Sequence, residues 1–266
     1  MSVKAPILII IPHAGLKVPE ELSGYEEVAP FNIFFESDAG ADLLFSACNY
    51  VESVIQSDIS RLFVDIDREF RHLHPSTEDG VIKSRNSMNR NIFREGCYPD
   101  EIAISNILKR YYFPFHEKIR NIIKTGRISL IIECHTHMPV GPENSPDRGQ
   151  PRPIVMTGYT ADSDDGIQKT TSPETAMDLA SIMGRIFSGE GDTVAGDFRV
   201  SGNSGGYLMK NYGTRGIPML QLSLSRSLFL NDTFFDLEEL KIDPARMERL
   251  KEMFIGGLEK FRRKYL

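Results

Sequence analysis

The chain has 266 residues, 41% hydrophobic and 26% charged, with a formal net charge of −6. That is ordinary folded-protein composition with ample material for a core. A pI of about 5.6 without a basic, aromatic-interleaved stripe argues against nucleic acid as a partner, and no apolar run is long enough for a membrane span.

The first residues, Met1 to Pro6, carry no charged start, apolar middle and cleavage site of the secretory kind. Ile7 to Ile11 is an unbroken, β-branched run and predicts a central strand. It ends in Pro12-His13-Ala14-Gly15, which puts an imidazole just past a buried strand. Pro30 to Gly40 contains Glu36 and Asp38, and Asp38 is placed to cap a following helix. Apolar residues at helical spacing predict that helix over residues 41–54. Leu62 to Ile66 reads as a strand bracketed by Arg61 and Arg68. An arginine at a strand end suits a carboxylate, because its planar fork can bind both oxygens. An ion pair of Arg68 with Asp65 or Asp67 is the competing reading.

Residues 72–95 are polar and without period, and read as a long loop. His72 and His74 on it are metal candidates by residue type alone. Glu101 to Lys124 predicts a long helix, kinked at Pro114 and closed by Thr125-Gly126, with His116 an ordinary member of it. Ser129 to Pro139 then gives a buried strand that ends in Glu133, His135 and His137. Open α/β sheets place ligands beyond the carboxyl ends of such strands.

Val140 to Arg152 reads as a loop, Pro153 to Gly158 as a strand, residues 159–172 as a polar connection, and Pro173 to Phe187 as a helix. Thr193 to Val200 is a strand candidate. Ser201 to Tyr207 reads as a small-residue turn before a short helix, where glycines let a ligand approach the backbone. Neither a dinucleotide fingerprint nor a phosphate loop is present. Ile217 to Leu224 is the last strand, and Asp243 to Tyr265 an amphipathic closing helix. Three cysteines, Cys48, Cys97 and Cys134, too widely spaced for a zinc knuckle, predict reduced thiols and a cytoplasmic protein. The alternation of strands and helices predicts one α/β domain over residues 1–266 with a mostly parallel, mixed sheet.

Six short motifs occur in order. They are Pro12-His13-Ala14-Gly15, Ser37-Asp38-Ala39-Gly40, Asp65-Ile66-Asp67-Arg68, Glu133-Cys134-His135-Thr136, Gly205-Gly206-Tyr207, and Gln221-Leu222-Ser223-Leu224-Ser225-Arg226. Together they resemble the N-formylglutamate amidohydrolase family, a branch of the zinc carboxypeptidase-like hydrolases.

The resemblance implies a three-layer α/β/α, phosphorylase/hydrolase-like fold. It also implies one zinc per chain and attack of an activated water on the amide of a small N-acyl amino acid or related carboxylate. His13 and His135 match the ligand histidines. Asp38 lies nearest the acidic ligand position, with Glu36 as the alternative. Glu133 fits the support of an imidazole, and Glu133, Arg61 and Glu36 are the expected catalytic groups. Arg68, Asn203, Gly205, Gly206 and Arg226 match positions expected to hold substrate. A homodimer is left open.

Two positions depart from the family pattern. Asp67 stands where an asparagine is usual, which would weaken the grip of Arg68 on an anion. Ser223 stands where a glutamate is usual, and a serine cannot take a proton as that base does. Glu36, Glu133 or Asp197 would then have to serve, or the chain is a weak or inactive relative that binds a small carboxylate. A serine hydrolase using Ser204 or Ser223 is a third reading, but the nucleophile-elbow pattern is missing.

Overall fold

The computed structural model describes residues 4–143, 145–163, 166–191 and 196–266; the side chains of 163 and 202–204 are left aside. Seven strands form one mixed sheet: β1 (Ala5–Ile11), β2 (Val51–Gln56), β3 (Leu130–His137), β4 (Val155–Ser163), β5 (Gly166–Lys169), β6 (Phe198–Gly205) and β7 (Met219–Ser225). The path is β2-β1-β3-β7-β4-β5, with β6 also on β4. β2, β1, β3 and β7 run parallel, and β4 pairs antiparallel with β7 and β5 but parallel with β6.

The two-residue period of the strands sorts their side chains into two cores. Ile7, Ile9, Ile132, Cys134, Leu222 and Leu224 pack under α2 (Ala41–Leu44), α5 (Pro173–Phe187) and α6 (Pro244–Tyr265). Leu8, Ile10, Ile131 and Met219 pack on the other side with α3 (Glu101–Ile107) and α4 (Phe113–Lys124). Two helical layers therefore cover the sheet, as expected of the three-layer α/β fold. Because Cys134 faces the first core, Glu133, His135 and His137 project from the second face, and so does Ser223, which pairs with His135 across β3 and β7.

The helices expected over 101–124, 173–187 and 243–265 form close to those bounds. Asp100, Ser172 and Asp243 cap α3, α5 and α6 by accepting backbone N–H groups three residues on. Pro114 offers no N–H, and the helix widens into a π turn over Leu108–Tyr112 just before it.

Others are corrected. The helix expected over 41–54 stops at Leu44, and its second half is β2. Asp38 caps nothing: the residue before α2 is Gly40 at φ 75°, a conformation that favours glycine. α1 (Pro30–Glu36), just upstream, was not anticipated. Leu62 to Ile66 is no strand but a buried turn, with Phe63 and Val64 N–H groups returning to the Ser60 carbonyl. The connection expected over 159–172 is largely the end of β4 and β5. Residues 193–195 of the strand expected over 193–200 lie outside the described residues, and β6 runs on through the small-residue segment expected to be a turn.

Candidate metal centre

Four chain segments meet at the carboxyl ends of β1 and β3. His13 follows β1. Asp38 follows α1, and its backbone N–H bonds the His13 carbonyl at 2.8 Å. His135 and Glu133 stand two residues apart on β3. Asp65 comes from the turn between β2 and α3. His13, Asp38 and His135 each turn one ligand atom inward, and these atoms lie within 4.8 Å of one another.

The outer nitrogen of each imidazole is held by a carboxylate. His13 Nε2 lies 2.8 Å from Asp65 Oδ1, and His135 Nε2 lies 2.8 Å from Glu133 Oε1. Such pairs fix ring orientation and tautomer and leave the other nitrogen to a metal. His13 Nδ1 is buried and has no hydrogen-bond partner; it faces Asp38 Oδ2 at 3.8 Å. Burial and the Arg61 guanidinium push its pKa down, so its inward lone pair is available. His135 Nδ1 meets Asp38 Oδ2 at 2.7 Å. Burial disfavours its charge, but the hydrogen bonds and charges of Asp38 and Glu133 prevail and raise its pKa to about 10. Burial likewise opposes ionisation of Asp38, yet His135, His13 and Arg226 hold its carboxyl well below the usual range.

Asp65 is the hub that the sequence reading missed. Its Oδ1 accepts from His13 and the Asp67 N–H, while Oδ2 receives Arg61 Nη2 and Lys83 Nζ, both at 3.1 Å. It was read only as a partner for Arg68, whose actual partner is Asp79 at 2.7 Å. Its place at the end of a charged turn, beside a motif arginine, was the one available signal.

The remaining expected site residues divide. Arg61 lines a cavity of about 470 Å³ together with Asp38, Glu36, Lys83 and Arg226. Glu36 is no member of the ligand cluster; its Oε1 accepts from the Ser87 N–H at 2.9 Å. Arg226 is buried and bonds the carbonyls of Phe35, Ser37 and Thr136, with Asp38 Oδ1 at 3.5 Å, so its guanidinium is occupied in steadying Asp38. Arg68, Gly205 and Gly206 line a separate cavity of about 220 Å³. A larger cavity, about 680 Å³ beside Ala14 and Gln56, contains none of the cluster. The donor chemistry, not volume, selects the site. The side chains of Asn203 and Ser204 lie outside the described residues.

Both departures acquire a structural setting. Arg68 pairs with Asp79, while Asp67 Oδ1 accepts the Leu208 N–H at 2.7 Å. Burial and the nearby Glu133 and Asp65 charges push its carboxyl well above the usual range, against the Leu208 N–H bond that favours the charged form. Ser223 Oγ lies 2.8 Å from His137 Nδ1, and His137 Nε2 lies 3.0 Å from the Pro153 carbonyl. Burial lowers the His137 pKa to about 4, so the neutral ring donates from Nε2 to Pro153 and accepts from Ser223.

A family model for N-formylglutamate amidohydrolase matches residues 5–230. The chain belongs to the N-formylglutamate amidohydrolase family. Among solved structures, the N-formylglutamate amidohydrolase of Ralstonia eutropha JMP134 aligns at TM-score 0.73 and 17% identity, covering 99% of this chain and 95% of that one. A gene product of Agrobacterium tumefaciens aligns at TM-score 0.57 and 17% identity, covering 97% and 92%. At these identities the likeness establishes the fold alone. No curated protein sequence matches. Within the family fold, the cluster sits at the carboxyl edge of the parallel strands, where such sheets bind ligands.

Proposed function

We propose that the chain is a zinc-dependent amidohydrolase that cleaves a small N-acyl amino acid of the N-formylglutamate type. The observation that carries this is the convergence of His13 Nδ1, His135 Nδ1 and Asp38 Oδ2, with each imidazole backed by its own carboxylate. Three such ligands match a catalytic zinc that keeps an open position, and the buried, unpartnered Nδ1 of His13 fits a metal ligand. Bound there, zinc would polarise the amide carbonyl and acidify a water.

The chain's own residues supply the rest. Asp65 and Glu133 hold the rings in register, and Arg226 steadies Asp38. Arg61, a quarter exposed on the cavity wall, presents a cation to the developing charge or to a substrate carboxylate. Three free thiols, Cys48, Cys97 and Cys134, are consistent with a reducing compartment such as the cytoplasm.

A second reading is favoured by Ser223. Its hydroxyl is engaged by His137, Glu36 is engaged by Ser87, and Glu133 is engaged by His135 through Oε1, with its buried Oε2 left without a partner. Asp197, the other carboxylate considered, packs beside Gly184 of α5. On this reading the chain binds a small carboxylate and turns it over slowly or not at all. Formate release from N-formyl-L-glutamate, followed with zinc and with chelator, separates the two. Zinc-dependent release that disappears in His135→Ala supports the enzyme; thermal stabilisation by the same compound without any release supports the binder. Restoring a carboxylate with Ser223→Glu should raise kcat by about 100-fold if only the proton acceptor is lacking.

A further inference from the structure

Asp79, on the long loop between the buried turn and α3, sits against two cations. Its carboxylate meets Arg68 Nη2 at 2.7 Å and the Lys83 ammonium. The three side chains differ in exposure: 7% for Lys83, 32% for Arg68 and 62% for Asp79. Lys83 also touches Asp65 Oδ2, but that carboxylate already serves Arg61 and His13. A nearly buried ammonium that shares one anion with a guanidinium and an imidazole calls for a second anion. Asp79 provides it, from an exposed loop position where ion pairs are weak and easily exchanged. Lys83 lines the cavity that contains Asp38, and Arg68 lines the one that contains Gly206, so Asp79 bridges the walls of both.

We propose that Lys83 and Arg68 form an anion seat for a substrate carboxylate, and that Asp79 fills it in the free protein as a displaceable internal carboxylate. Asp79 is then a specificity-determining residue. It competes with acidic ligands, holding their affinity down, and leaves neutral amides untouched. Lys83 is tied through Asp65 to His13, so a carboxylate seated there lies at a set distance from the metal ligands. The ligand class, a carboxylate-bearing N-acyl amino acid, rests on the amidohydrolase reading; the seat and its internal occupant rest on the contacts of Asp79.

The test is calorimetric binding of N-formyl-L-glutamate and of uncharged N-formylglycinamide to the full chain, as purified. In Asp79→Asn, which changes an exposed side chain without altering its shape, N-formylglutamate should bind about fivefold more tightly. The neutral amide should be unchanged. Lys83→Met should weaken the acidic ligand by more than about tenfold, and circular dichroism checks that this buried substitution still folds. Native binding with no gain in Asp79→Asn, or an equal gain for both ligands, overturns the inference and leaves the enzymatic reading intact. Silence of native and variant protein towards both ligands overturns the two together.

Discussion

His135 lies between two carboxylates, and this determines how the metal-free protein responds to pH. Its folded pKa, about 10, is raised from 6.5, so its stabilising contribution is complete below about pH 6.5 and is lost as pH rises through 10. Asp38 is depressed from 3.8, so its contribution is present above that pH and is lost as pH falls below it. His13 and His137 are depressed from 6.5 and withdraw stability below it, so chelated protein should be most stable near pH 6 to 7 and lose a few kcal/mol towards pH 10, read by urea unfolding. Bound at His135 Nδ1, zinc would take the place of the proton there, so zinc-loaded protein should show little of the alkaline loss. Asp67, whose carboxyl is held above the usual range by burial and by Glu133 and Asp65, should tolerate Asp67→Asn at a cost of less than about 1 kcal/mol in urea unfolding, since an amide oxygen can still accept the Leu208 N–H. Glu133 was legible from its place two residues before His135. Asp65 was not, because nothing local in Asp65-Ile66-Asp67-Arg68 reveals an imidazole from residue 13.

Gly206 illustrates what the elements themselves impose. A β-carbon there would fall 1.7 Å from Asp67 Oδ2, so the helical turn after β6 can close on Asp67 only with glycine. Gly206→Ala should cost about 1 to 3 kcal/mol by chemical denaturation and should move the turn that carries Asp65. The glycine was visible in the sequence as room for a ligand; in the fold a carboxyl already fills that room. Asp100, Ser172 and Asp243 each cap a helix through a contact only three residues long. Asp243→Ala should cost about 1 kcal/mol. Leu62 to Ile66 misled because burial and apolarity are shared by strands and packed turns, and only the backbone partners tell them apart. The helix expected over 41–54 failed for a related reason: Val51, Val54 and Ile55 fit either period until β1 offers its edge.

At the scale of the molecule, the parallel strands β1 and β3 deliver His13 and His135 side by side, with ring centroids 5.2 Å apart. Residues 13, 38, 65 and 135 are brought together only by the closed sheet, so no local pattern announces the cluster. The ordered motifs identified the family, and the family fold is what makes their convergence intelligible. Where this chain departs from the pattern, at Asp67 and Ser223, the surroundings have adjusted: a buried carboxyl accepting the Leu208 N–H in one case, a serine–histidine contact in the other. The proposed chemistry rests on a metal held by His13, Asp38 and His135. Metal analysis of the purified chain and of His13→Ala tests it most directly. The account predicts about one zinc per native chain, and none retained by His13→Ala after dialysis. A native chain without zinc after zinc loading, or His13→Ala holding zinc as firmly as the native chain, would contradict it.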